Sequence, residues 1–102
     1  MSESYKLVYF VPHSHVQATK DAVFSAGGGV YGGGKYIKCS FEIPGYGQFI
    51  PVASAGANPH TGSVDKLERT EEVRVEIRCE GKEVVRKAVQ DLKRYFVVLE
   101  KI

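Results

Sequence analysis

Residues 72–79 read Glu-Val-Arg-Val-Glu-Ile-Arg-Cys, an unbroken alternation of charged and apolar side chains. Successive residues of an extended chain point to opposite faces. Val73, Val75, Ile77 and Cys79 therefore face a core, while Glu72, Arg74, Glu76 and Arg78 face water or a polar contact. A helical period takes over directly behind this strand. From about Gly81 to Tyr95, the residues Val84, Val85, Ala88, Val89, Leu92 and Tyr95 fall on one face at the spacing of an amphipathic helix. Residues 96–102 suit a short final strand.

The amino-terminal half supplies a second strand and helix. Tyr5–Val11 is apolar on both faces apart from Lys6, the pattern of a strand inside a sheet. Pro12 stops it, and a helix follows from about His15 to Ala26, with Ser14 as N-cap and Gly27 as terminator. Val16, Thr19, Val23 and Ala26 form its buried stripe. The run Gly27–Gly34 is too glycine-rich for a regular element. Residues 36–43 alternate, with Ile37, Cys39, Phe41 and Ile43 on the apolar face. Pro44-Gly45-Tyr46-Gly47 reads as a hairpin turn, and residues 48–52 as a returning strand with Pro51 at an edge or bulge. Residues 53–70 form a long loop punctuated by Asn58-Pro59 and Gly62. Loops of that length in small domains are commonly functional.

The order is β-α-β-β-β-α with a closing β. Treating 36–52 as one bent arm turns it into a split βαβ. The expected fold is therefore α+β, a ferredoxin-like βαββαβ sandwich whose antiparallel sheet carries two helices on one face, with 1–102 as a single domain. A chain this short buries only about two-thirds of its unfolded surface, so self-association would add burial.

Composition narrows the function classes. The 43% hydrophobic and 25% charged content is that of a soluble globular chain. The formal charge is only +2, and no basic stripe with interleaved aromatics appears, so nucleic acid is not an expected partner. No apolar run approaches the ~20 residues of a membrane span, and no charged-then-apolar leader opens the chain. Two cysteines in apolar strand patterns make no disulfide framework. A cytoplasmic setting is expected.

Familiar chemical motifs fail on context. Gly27, Gly29 and Gly32 spell G-x-G-x-x-G, and Gly29, Gly34 and Lys35 nearly match a P-loop. A phosphate loop, however, follows a strand and opens a helix, whereas these glycines follow a helix and lead to a strand. They read as a flexible connection or, less simply, as a backbone nest for an anion. His13, His15 and His60, with Cys39 and Cys79, are the soft metal ligands. Their spacings match no standard site. The three histidines remain weak candidates for a divalent metal, the cofactor otherwise being unknown. There is no G-x-S-x-G elbow and no Ser or Cys arranged with His and an acid. No catalytic residue is assigned.

Several stretches taken in order resemble a known family. They are residues 6–12 (KLVYFVP), His15 and residues 22–27 (AVFSAG), then Cys39-Ser40-Phe41, residues 45–51 (GYGQFIP) and residues 56–62 (GANPHTG). Val64, Lys66-Leu67-Glu68 and residues 72–76 continue the series. Together they resemble the small PII/CutA-like domain of NIF-three-like proteins, the homologues of a type-two GTP cyclohydrolase I. The resemblance implies that fold, here as a domain standing alone. It places the family's metal pair on a larger domain whose motifs this chain lacks, which argues against catalysis here. Members of the family also end the second helix with His-Pro-Tyr-Glu-Glu, where this chain has Lys93-Arg94-Tyr95-Phe96-Val97.

The sequence thus points to a self-associating binding or assembly module without catalytic activity, a dimer or trimer that takes a small ligand, metal ion or protein partner. Asn58, His60, Thr61 and Gly62 of the long loop are the first candidates for ligand binding, followed by His15 and Gly32. Alternative readings are a metal-dependent nucleotide hydrolase, by analogy with the whole family, and a purely structural oligomer.

Overall fold

The computed structural model describes residues 3–59, 62–95 and 98–99. The elements are β1 (Ser4–Val11), α1 (Val16–Ser25), β2 (Phe41–Phe49), β3 (Glu68–Glu80), α2 (Lys82–Leu92) and β4 (Val98–Leu99). The strands form one sheet in the order β2-β3-β1-β4, and every pairing is antiparallel. The fold is α+β.

β1 lies between β3 and β4, the interior position its apolar run called for. Its register sets Leu7 opposite Ile77, Tyr9 opposite Val75 and Val11 opposite Val73. These side chains share a face and form the core with Cys79, and with Thr19 and Val23 of α1 and Ala88 and Leu92 of α2. Val16, Ala26, Val84, Val85 and Val89 pack around that cluster, so both helical stripes point where their spacing placed them. Burial pushes the Cys79 thiol pKa up.

The helix ends differ slightly from expectation. A 3-10 turn at His13–His15 precedes α1, and its N-cap is His15 rather than Ser14. The Ser14 hydroxyl is engaged instead with His15 Nδ1 at 2.8 Å. At the other end Gly27, at φ 107°, returns its N–H to the Phe24 carbonyl, 3.0 Å away. α2 stops at Leu92, with Tyr95 in the turn beyond it.

The largest correction concerns residues 36–52. No hairpin turn forms at Pro44–Gly47. Instead β2 runs for nine residues straight through it, pairing from Phe41 opposite Glu76 to Phe49 opposite Glu68. The reason is β3, which is 13 residues long and offers a template well past the end of β1. Nine cross-strand positions outweigh a local turn preference, and an edge strand tolerates the missing N–H of Pro44. Residues 36–40 belong to the connection before β2, not to a strand. Ile37 is 63% exposed and Phe41 61% exposed, and Cys39 is only half-buried, so the face read as apolar does not join the core. Pro51 lies beyond β2 and is buried.

Far ends of β2 and β3 project past β1 as a two-stranded arm, and the molecule measures 50 × 22 × 21 Å. The short β4 pairs Leu99 with Tyr9 and Val98 with Phe10; Phe96, Val97 and residues 100–102 of the expected last strand lie outside the described residues. Among the described residues no helix is long and apolar enough to cross a membrane.

Candidate functional site

The sequence candidates fall in three separate places. The first is the loop closing the arm. A 3-10 turn at Ala53–Ala55 ends on Gly56 in the left-handed region. Asp65 ties the two limbs together: its N–H donates to the Pro51 carbonyl at 2.6 Å, and its Oδ1 accepts from the Ala53 N–H at 3.0 Å. Asn58 is exposed in this loop. Gly62 sits at φ 87° with room for a Cβ only 3.0 Å from Glu68 Cβ, so its smallness makes way for the Glu68 side chain. His60 and Thr61 lie outside the described residues.

The second place is the entry to α1. His15 meets the Tyr95 ring edge-on, with centroids 6.1 Å apart. His13 Nε2 stands 4.0 Å from Glu71 Oε2. Each is a single contact to a distant part of the chain, and among the described residues no three His, Cys, Asp or Glu side chains are grouped to hold a metal ion.

The third place holds the glycine run. The run closes on itself: the Tyr31 N–H donates to the Tyr36 carbonyl at 2.9 Å, and the Tyr36 N–H returns to the Tyr31 carbonyl at 3.2 Å. Gly32 lies inside this small loop, in a 3-10 turn. The base is fastened to the sheet edge, where Gly29 N–H donates to the Arg78 carbonyl at 2.7 Å and Cys39 N–H donates to the Gly29 carbonyl at 2.9 Å. The run opens no α-helix, so the phosphate-loop geometry is absent.

This loop forms one wall of a cavity of about 540 Å³ that the sequence did not announce. Its floor is the sheet face away from the helices, with Ser4, Lys6, Glu76 and Arg78; Tyr31 and Phe41 stand at its sides, next to Cys39 and Ser40. Arg78 organises the wall. Its Nη1 donates to the Val30 carbonyl at 3.1 Å, its Nη2 donates to Ser4 Oγ at 2.7 Å, and the guanidinium lies 5.1 Å from the Tyr31 ring centroid. Lys6 Nζ is 3.5 Å from Glu76 Oε1, and Arg74 Nε donates to Glu76 Oε2 at 3.0 Å. The Arg74 bond above all, with Lys6 beyond it, holds the Glu76 carboxyl below its usual pKa.

The same bare face continues along β2. Phe41, Ile43 and Phe49 pair with Glu76, Arg74 and Glu68, which places them opposite the helices. They are 61%, 43% and 39% exposed. Arg74 covers the Phe10 ring on this face from 5.5 Å, and on the opposite face of the arm Arg69 covers the Tyr46 ring from 4.3 Å. The charged residues of β3 thus act as lids over aromatics as well as solvated groups. Alternation in β3 signalled this face; the partners from β2 were concealed by the misplaced turn.

No family model matches the chain. Curated relatives do. A GTP cyclohydrolase 1 type 2 homolog of Mycobacterium leprae is 46% identical over 72 residues, which is 71% of this chain and 18% of the relative. The protein of the same name from Staphylococcus epidermidis is 33% identical over 89 residues, 85% of this chain and 23% of the relative. That from Staphylococcus aureus strain Mu50 is 36% identical over 91 residues, or 89% and 24%. The chain therefore spans about a fifth to a quarter of the length of these relatives. The crystal structure of a Bacillus cereus protein related to NIF3 superposes on all of this chain and 26% of its own, with TM-score 0.72 and 28% identity.

Proposed function

Starting from its membership, as a counterpart of one segment, in the NIF3-related family of GTP cyclohydrolase 1 type 2 homologues, we propose that this chain is a cytoplasmic, self-associating binding and assembly module with no catalytic activity of its own. The element order β-α-β-β-α-β and the strand order β2-β3-β1-β4 support reading it as a ferredoxin-like, PII/CutA-like sandwich.

One observation carries the reading. The sheet is covered by helices on one side, and on the other, beyond the cavity, it leaves Ile43 and Phe49 open to solvent. Exposed large apolar side chains along one sheet face mark an interaction surface, and a chain of this size gains most by burying them against another copy. The arm adds Ile50, Val52 and Leu67, which are 53%, 44% and 61% exposed.

Native mass spectrometry tests this directly. The protein should appear as a dimer or trimer at micromolar concentration. Ile43→Glu places a carboxylate on that face at a position already 43% exposed, so it should yield folded monomer. A monomeric wild-type protein, or an Ile43→Glu variant that keeps the oligomer, would overturn the reading.

A further inference from the structure

We infer that the cavity between Tyr31 and Phe41 is a binding site for a planar aromatic molecule carrying a single negative charge. At about 540 Å³ it falls in the size range of small-molecule sites. Its walls are aromatic, and the backbone of one of them is pinned. Tyr31 is held by two backbone bonds to Tyr36, and Arg78 is stacked against its ring. A ring at a cavity mouth accepts a second ring by stacking or edge contact.

The charges decide the ligand class. Arg78 is spent on Val30, Ser4 and Glu80, the last at 3.2 Å, so it shapes the wall and does not need a ligand. Lys6 differs. Its side chain is 68% exposed and its ion pair with Glu76, whose own side chain is 21% exposed, is 3.5 Å long, so on the lysine side the pair costs little to exchange. Arg74 still holds Glu76 when Lys6 turns away. Lys6 is therefore the cation free to meet a carboxylate or sulfonate, and Ser40 lines the same cavity. Glu76 stays ionised on the floor and repels any further negative charge. One anionic group fits, and two do not.

Proton–nitrogen correlation spectra of the labelled protein test the assignment, with 2-naphthoate as probe, 2-naphthamide as its neutral match and 2,6-naphthalenedicarboxylate as its dianion. Saturable shifts should appear at residues 4–6, 31, 39–41 and 76–78. The naphthoate should bind about fivefold more tightly than either comparison compound, the scale of one exposed ion pair. Lys6→Gln should erase that preference, and Tyr31→Leu should weaken naphthoate and naphthamide together by about fivefold or more. Oligomer size is read separately, so failure here leaves the assembly reading intact. Absence of saturable shifts, shifts confined to the arm, or an unchanged preference in Lys6→Gln would overturn the assignment.

Discussion

Changing Thr19 to valine would strand a phenol in the middle of the core. Tyr9 and Thr19 are both 0% exposed. The Tyr9 hydroxyl donates to Thr19 Oγ1 at 3.0 Å, and Thr19 in turn donates to the Val16 carbonyl at 2.8 Å. The two deletions are therefore unequal. Tyr9→Phe removes a donor but leaves the threonine bonded to Val16, a loss of about 0.5–1.5 kcal/mol. Thr19→Val leaves a buried phenol with no acceptor, which costs about 1–3 kcal/mol. The double variant removes both polar groups and should be more stable than the sum of the single losses, by about 1 kcal/mol. Urea denaturation followed by circular dichroism gives all four stabilities. A loss near 2 kcal/mol would also lower Tm by roughly 10 °C in a domain of this size. Strict additivity, or a larger loss for Tyr9→Phe than for Thr19→Val, would refute the relay.

Tyr9 also predicts alkaline behaviour. Burial above all, with Glu42 adding to it against the bond with Thr19, pushes its pKa up to about 12. The folded state thus favours the neutral phenol, and this contribution is full below pH 10 and lost as pH rises toward 12, by no more than about 2–3 kcal/mol. Stability measured against pH should fall less steeply over that window in Tyr9→Phe than in the wild type. At Gly29 a Cβ would come 2.8 Å from the Cys39 carbonyl and 2.9 Å from Phe24 Cε1 at φ 77°, so Gly29→Ala should lower stability by about 1–3 kcal/mol in thermal melts. Pro44 interrupts the hydrogen-bonding capacity of edge strand β2. Pro44→Val should leave the fold intact and raise light scattering on concentration, because edge strands without such interruptions pair with one another.

The parts of the fold legible in the sequence were those with a complete period of their own. Val73–Cys79 and Ala88–Leu92 announce their buried faces without help, and so do the flanks of α1. β2 was not legible because Pro44-Gly45-Tyr46-Gly47 carries every local mark of a turn. Only the length of its partner, which runs to Glu68, shows why the chain stays extended. Periodicity likewise identified two faces for Phe41 and Ile43 but gave no means of telling which one the helices would cover. The loop candidates Asn58 and Gly62 were found where a long loop was expected, yet neither meets His15 or Gly32. The Tyr31–Arg78 pairing joins residues far apart in the chain, and nothing local connects them. The resemblance did what periodicity could not, and the relatives agree with it on the family.

The clasp made by Asp65 has a mechanical consequence. Its bonds to Pro51 and Ala53 close the arm before the tip begins, so the register of β2 and β3 is settled without reference to what the tip contains. Extra residues spliced in after Asn58 would ride on the arm as cargo, and the sheet beneath would not feel their weight.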